Sequence, residues 1–154
     1  MSRSATETER AAEAVGISLR PGDVVLVSGE VGTGKTTFVR AACRALGVRE
    51  RVTSPSFTIG QTYVGSAVPV SHVDLFRLET LEAEDPSLLA DYVSPHSVAF
   101  IEWPGSAALE IEPERIVLRV SLSHLGGDER RVRAKGRSDL VESLGGALED
   151  DRVT

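Results

Sequence analysis

An α/β fold is the class this sequence predicts, on three observations that follow one another along the chain. "VVLVS" (24–28) is an unbroken apolar and mostly β-branched run, the kind that forms a strand buried on both faces. A glycine-rich loop follows it at once. From Lys35 to Leu46 the apolar residues Phe38, Val39, Ala42, Ala45 and Leu46 fall on one helical stripe, with Gly47 placed to end the helix.

The bulk properties narrow the class further. At 154 residues the chain has the size of one domain able to bury a core without disulfides or a structural metal, and a single domain over 1–150 with a loose tail at 151–154 is expected. Composition is 41% hydrophobic and 26% charged, as in ordinary globular proteins. No apolar run is long enough to span a bilayer, and the N-terminal "MSRSATETER" lacks the apolar core of a signal peptide, so no membrane association and a cytoplasmic location are expected. The lone cysteine, Cys43, lies on the apolar helical stretch and reads as a small core residue. A net charge of −6 argues against a protein that holds nucleic acid mainly by wrapping its phosphates. Of the 17 basic residues only Lys35 and Lys135 are lysines, and the arginines cluster in "DERRVRAKGR" (128–137), either a solvated strand and turn or a contact for an anion or partner.

The remaining elements follow from local pattern. Residues 5–15, rich in Ala, Glu and Arg, predict a short helix before the turn "RPGD". Residues 51–64 alternate like a strand after Pro55, and 68–76 read as another strand after a turn at 65–67. "LEAEDPSLLADYV" predicts a helix around Pro86, since proline is tolerated in a first turn. A strand at 98–102 is followed by "ERIVLRVSL" and "RRVRAK", two strands joined by a Gly-Gly turn. "SDLVESLGGAL" closes the chain as a helix with Leu140, Val141, Leu144 and Leu148 on one face.

The glycine loop carries the chemistry. "GEVGTGKT", from Gly29 to Thr36, fits the phosphate-binding pattern G-x-x-x-x-G-K-[ST] between a buried strand and an amphipathic helix, the context that motif requires. Gly29, Gly32 and Gly34 let the backbone turn its N–H groups inward and approach a polyphosphate without Cβ clashes. Glu30, Val31, Thr33 and Thr37 complete the candidate phosphate-contacting set. The helix N-terminus adds partial positive charge, Lys35 supplies a point charge for the β and γ phosphates, and the Thr36 hydroxyl is a ligand for Mg²⁺. Binding of a nucleoside triphosphate, ATP with Mg²⁺, is therefore expected.

Two acids end neighbouring apolar strands. Glu102, closing "AFIE", is the candidate to face the metal directly or through water, the alternative being a strand-end glutamate in solvent. Asp74, in "HVDLFR", is the candidate to orient the attacking water, the alternative being a salt bridge to Arg77. His72, two residues earlier on the same face, reads as a hydrogen-bonded structural side chain in preference to a base. Trp103 fits either the core or a partner surface.

With the loop, "TSPSFT", "HVDLFRL" and "IEWP" in this order and spacing, residues 5–137 resemble the TsaE family, also called YjeE. The resemblance implies a P-loop NTPase fold with a mixed central sheet flanked by helices. It also implies ATP hydrolysis, on a complex of the TsaD and TsaB proteins, that resets the complex between turnovers in making threonylcarbamoyladenosine on tRNA, with tRNA engaged only through that complex. Onto this chain it carries Lys35 and Thr36 as the loop lysine and metal-binding threonine, Glu102 as the metal-binding glutamate and Asp74 as the acid needed for hydrolysis. Trp103 falls on the motif tryptophan, and Thr53 with Ser54 on a segment that closes like a switch beside the nucleotide. The stretch from Thr6 through Thr8 to Glu9 matches a region lining the base, and Arg130 with Arg131 a basic stretch near the nucleotide. Departures are few: "GTGKT" for the usual "GAGKT", "SPSF" for "SPTF", Phe76 where Tyr is common, and Gly105 where an acid often follows "IEWP".

Two rival functions fit the loop alone. A small-molecule or nucleotide kinase would need an acceptor pocket and an Arg-bearing lid, and no inserted lid is evident between 75 and 98. A non-catalytic nucleotide-dependent binding module would bind ATP without turnover.

Overall fold

The computed structural model describes residues 1–53, 59–75, 87–104 and 111–149. Helix α1 (Ala5–Ile17) starts at Ser4, whose side chain accepts the Glu7 N–H at 3.2 Å, while the Glu7 carboxylate accepts the Arg3 N–H at 2.6 Å. These two contacts satisfy donors that a helix start otherwise leaves open. Strand β1 (Val24–Gly29) leads through the glycine loop into α2 (Lys35–Ala45), after which Gly47 adopts φ 86. Strands β2 (Gly60–Val64) and β3 (Pro69–Asp74) form an antiparallel pair. A single turn of helix, α3 (Ser87–Ala90), precedes β4 (Val98–Glu102). A 3-10 turn, Pro113–Arg115, then leads to β5 (Ile116–Gly126), β6 (Glu129–Gly136) and the closing helix α4 (Ser138–Glu149).

Strand order is β2-β3-β4-β1-β5-β6. Strands β3, β4, β1 and β5 run parallel, and β2 and β6 pair antiparallel at the two edges, so the sheet is mixed as expected. Alternate residues of β1 feed opposite cores, which explains its unbroken apolar run. Val25 and Val27 join Phe100, Leu118, Val120 and the apolar faces of α1, α2 and α4 on one side. Val24 and Leu26 pack with Val73, Ala99, Ile101, Leu75 and Ile111 on the other. Leu140, Leu144 and Leu148 of α4 are buried and Val141 packs against them, and Cys43 is buried inside α2, its thiol pushed up to about 12 by burial.

Three boundaries differ from the sequence reading. β2 begins at Gly60, where the Tyr92 ring lies against the backbone, while residues 54–58 of the expected strand fall outside the described residues. Of the helix expected over 81–93, residues 81–86 fall outside the described residues, and the described part is helical only at Ser87–Ala90, with a turn at 91–92 in place of further helix. β5 runs to Gly126, past Leu122 where apolar alternation stops. Its outer end is exposed and held by the ladder to β6, with Gly126 and Gly127 at φ 119 and 54 making the turn. Burial patterns in sequence cannot mark a strand end that pairing alone supports.

The placement of the loop depends on how closely α1 lies on α2. Gly16 makes that approach: a Cβ there would stand 2.6 Å from the Ala42 carbonyl oxygen and 2.9 Å from the Ala45 Cβ. Gly16→Ala gains about 1 kcal/mol of helix propensity, but overpacking against backbone costs roughly 1–3 kcal/mol. The variant is expected to melt several degrees below the parent, and an unchanged or raised Tm would show that the two helices have room to part.

Candidate nucleotide site

Parallel register brings the candidate residues to one sheet edge. Val27 pairs with Glu102 and Glu102 with Asp74, so the carboxyl ends of β1, β4 and β3 lie level, and the loop Gly29–Gly34 rises from the first of them. A cleft of 440 Å³ opens there, lined by Gly32, Gly34, Lys35, Thr36, Asp74, Glu102 and Trp103, with Val31 and Thr37 at its sides. Crevices at the carboxyl ends of parallel strands are where ligands of open α/β sheets bind.

The loop conformation needs its glycines. Gly29, Gly32 and Gly34 have φ of 144, 81 and 96, and a Cβ on Gly29 would meet the Leu122 carbonyl oxygen at 2.3 Å. Thr33, which stands where the family pattern has alanine, is buried and donates its hydroxyl to the Glu30 carbonyl at 2.8 Å, a brace within the loop. Arg130 adds an outer clamp from β6: its Nε donates to Thr33 O at 3.2 Å and its Nη2 to Gly32 O at 3.4 Å, while Nη1 donates to Gly127 O and Glu129 O. These bonds hold the loop carbonyls from its outer side, and within the loop the Thr33 backbone N–H donates to Glu30 O at 3.3 Å.

Lys35 is buried and its Nζ donates to Gly29 O and Glu30 O, each at 2.8 Å. It lies 4.3 Å from the centroid of the Trp103 ring, a cation–π contact worth about 0.5–2 kcal/mol depending on desolvation. Burial lowers its pKa, and the negative charges of Glu102 and Asp74 oppose that shift. Trp103 has φ 55, a left-handed conformation costing a non-glycine residue about 1–2 kcal/mol. The Trp103 N–H donates to Val27 O at 3.1 Å, which fixes that turn and lays the half-buried indole against both the second core and Lys35. The tryptophan is thus a wall of the cleft, between the two roles its sequence position allowed.

Glu102 does not point into solvent: it is 2% exposed. The Thr36 hydroxyl donates toward its two carboxylate oxygens, each at 3.2 Å, and the buried His72 Nε2 contacts Oε2. Asp74, half-buried, lines the same cleft one strand away. Its alternative partner, Arg77, lies outside the described residues. Among the described residues no three His, Cys, Asp or Glu side chains gather into a metal cluster. A hydroxyl and a carboxylate side by side nevertheless suit Mg²⁺, which takes oxygen donors, keeps several waters and completes its shell with substrate phosphates.

Other sequence candidates are distributed unevenly. A neighbouring cavity of 170 Å³ shares Gly32, Gly34 and Thr37 with the first and is lined by Ala5, Thr8, Thr33, Asp128 and Arg130. Thr8 is buried there, its hydroxyl 2.6 Å from that of Ser2, whereas Thr6 is exposed and Glu9 pairs with Arg44 at 3.2 Å. Thr53 is exposed and lines neither cavity, and Ser54 lies outside the described residues. Arg131 is exposed on β6. That Asp128 and Ala5 line the cavity beside the loop was not legible in the sequence, because the hairpin and α1 reach it only through the fold. His72 was within reach of sequence reasoning, since it shares a strand face with Asp74.

A strand, phosphate loop and helix with acids from the adjoining strands at the same edge make this a P-loop NTPase fold. Comparison with known proteins narrows it. The family model described as threonylcarbamoyl adenosine biosynthesis protein TsaE matches residues 2–132. The tRNA threonylcarbamoyladenosine biosynthesis protein TsaE of Bacillus subtilis is 34% identical over 90% of this chain and 85% of its own length. That of Treponema pallidum is 36% identical over 86% and 96%. The crystal structure of Bacillus subtilis YdiB superimposes with a TM-score of 0.70 at 27% identity, covering 96% of this chain and 90% of its own. The chain belongs to the TsaE family.

Because the three guanidinium nitrogens of Arg130 are engaged with carbonyls, Arg130→Ala should act through the loop. Amide hydrogen exchange at 32–34 is expected to speed up in the ligand-free protein, with ATP affinity falling roughly 5–30-fold as hydrogen bonds worth about 1–2 kcal/mol are lost. Unchanged exchange at those amides would rule out the clamp.

Proposed function

We propose that this chain is a Mg²⁺-dependent ATPase of tRNA threonylcarbamoyladenosine biosynthesis, hydrolysing ATP on a TsaB–TsaD complex in the cytoplasm and so resetting that complex between turnovers. The single observation that carries the chemical part is the convergence of Lys35, Thr36, Glu102 and Asp74 on one cleft beside the glycine loop. The biological part rests on family membership: the relatives it matches carry that biosynthetic role in their names. Location away from the membrane is supported by the lack, among the described residues, of a helix long and apolar enough to cross one.

In this reading the two adjoining cavities hold one nucleotide, the triphosphate in the larger and the base and ribose toward Thr8 and Asp128 in the smaller. Lys35 exchanges its bonds to Gly29 O and Glu30 O for the β and γ phosphates. Thr36 and Glu102 hold Mg²⁺, which supplies neutralisation of the charge that develops on the transferring phosphoryl group. Asp74 accepts a hydrogen bond from the attacking water and aligns it. Trp103 covers Lys35 and limits solvent access from the side.

Glu102→Ala and Asp74→Ala separate these roles. Loss of Glu102 is expected to weaken Mg²⁺-dependent ATP binding and to slow hydrolysis together, since the ion both holds the phosphates and stabilises the transition state. Loss of Asp74 is expected to lower kcat, measured with TsaB and TsaD present, while leaving ATP affinity nearly intact. Wild-type Mg²⁺ dependence in Glu102→Ala sinks the metal assignment. Transfer of labelled γ-phosphate to a metabolite faster than to water would instead make the protein a kinase, and tight ATP binding without turnover would make it a binding module.

A further inference from the structure

We infer that His72 is a positioning residue for Glu102: its imidazole Nε2 fixes the carboxylate in the orientation that presents both oxygens to Thr36, and thereby sets how tightly magnesium couples to nucleotide binding. This rests on the reading of Glu102 as the metal-binding acid and goes beyond it to what holds that acid in place.

Three features of the ring lead there. His72 is wholly buried, and its Nε2 contacts Glu102 Oε2. The other ring nitrogen, Nδ1, is also buried and, among the described residues, has no hydrogen-bond partner. A histidine kept only to fill and stabilise the core would have both nitrogens satisfied, because an unmatched buried polar atom costs about 1–3 kcal/mol. Among the described residues the ring's one polar contact is that of Nε2 with Glu102. Placement is equally specific. His72 and Asp74 lie on the same face of β3, and the parallel register that sets Asp74 beside Glu102 also brings the His72 ring diagonally up to the carboxylate.

The other partners of Glu102 have second tasks. Thr36 is the proposed co-ligand of the ion, and Lys35 must turn to the phosphates, so their relations with the carboxylate are the ones that ligand binding rearranges. His72 lines neither cavity. Its contact is therefore the fixed one, against which the carboxylate can be aimed while the rest of the site changes. Carboxylates that bind metals need such outer partners to hold their orientation, and removing one typically weakens metal binding 10–100-fold.

Glutamine and asparagine test this by reach. The amide nitrogen of His72→Gln can occupy the place of imidazole Nε2, whereas that of His72→Asn falls one bond short; both keep a polar side chain in the core. Binding of a fluorescent ATP analogue is measured at fixed pH against Mg²⁺ concentration, with thermal melts to confirm folding. His72→Gln is expected to keep the half-saturating Mg²⁺ concentration within about threefold of the parent, and His72→Asn to raise it roughly tenfold or more, with analogue affinity in excess EDTA alike for both. Parent-like Mg²⁺ dependence in His72→Asn overturns the inference, and so does an equal loss in both variants, which would mean that ring shape and not the Nε2 contact matters. Glu102→Ala is run beside them. If it too keeps the parent's Mg²⁺ dependence, the metal reading itself falls; if it alone loses that dependence, only the role of His72 falls.

Discussion

The rest of the site depends on one buried carboxylate. Glu102 ends a strand whose five residues are all buried, so its charge has almost no water to answer it. Leaving such a group unpartnered would cost several kcal/mol. Partners come from two other elements: the Thr36 hydroxyl and the field of Lys35 from α2, and His72 from β3. Each can be there only if β1, β3 and β4 are parallel and in the observed register, because a slip of one residue would turn Glu102 to the other face of the sheet. The carboxylate and the topology therefore specify one another.

The loop answers a second constraint, that a backbone path through three positive-φ residues must be held in place. Three left-handed glycines permit the shape, but permission is not stabilisation. The stabilising contacts come from outside the motif: Thr33 bonds back to Glu30 O, Lys35 caps Gly29 O and Glu30 O, and Arg130 grips Thr33 O and Gly32 O from the β5–β6 hairpin. The hairpin, which adds little to the apolar core at its outer end, thus has a structural reason to extend past it.

What the sequence showed and hid follows from the range of the interactions. β1, the loop and α2 were legible because a both-faces-buried strand, a glycine pattern and a helical stripe are local signatures. Glu102 and Asp74 were legible as strand-end acids, since alternation and termination are also local. That Arg130 holds loop carbonyls was not, because nothing in "DERRVRAKGR" distinguishes Arg130 from Arg131; only strand parity and the Ser2–Arg130 bridge turn one inward and leave the other exposed. His72 was read as structural because its contact with a residue thirty positions away exists only in three dimensions. The departure of Thr33 from the family's alanine looked neutral in sequence, yet the structure gives its hydroxyl a partner.

Charge explains why such a cleft, if it takes a nucleotide as proposed, would favour the magnesium complex over the free triphosphate. It presents one lysine and two carboxylates, and that lysine is partly spent: burial disfavours its charged form while Glu102 and Asp74 restore it. An incoming triphosphate alone would set several negative charges beside two more, in a place where low dielectric amplifies repulsion as readily as attraction. A divalent cation held by Thr36 and Glu102 would offset that repulsion by supplying positive charge beside the acids and the phosphates. The acids that would repel a bare polyanion are thus the ones that would favour a metal-bound one, and the chain's overall charge of −6 works in the same direction at longer range.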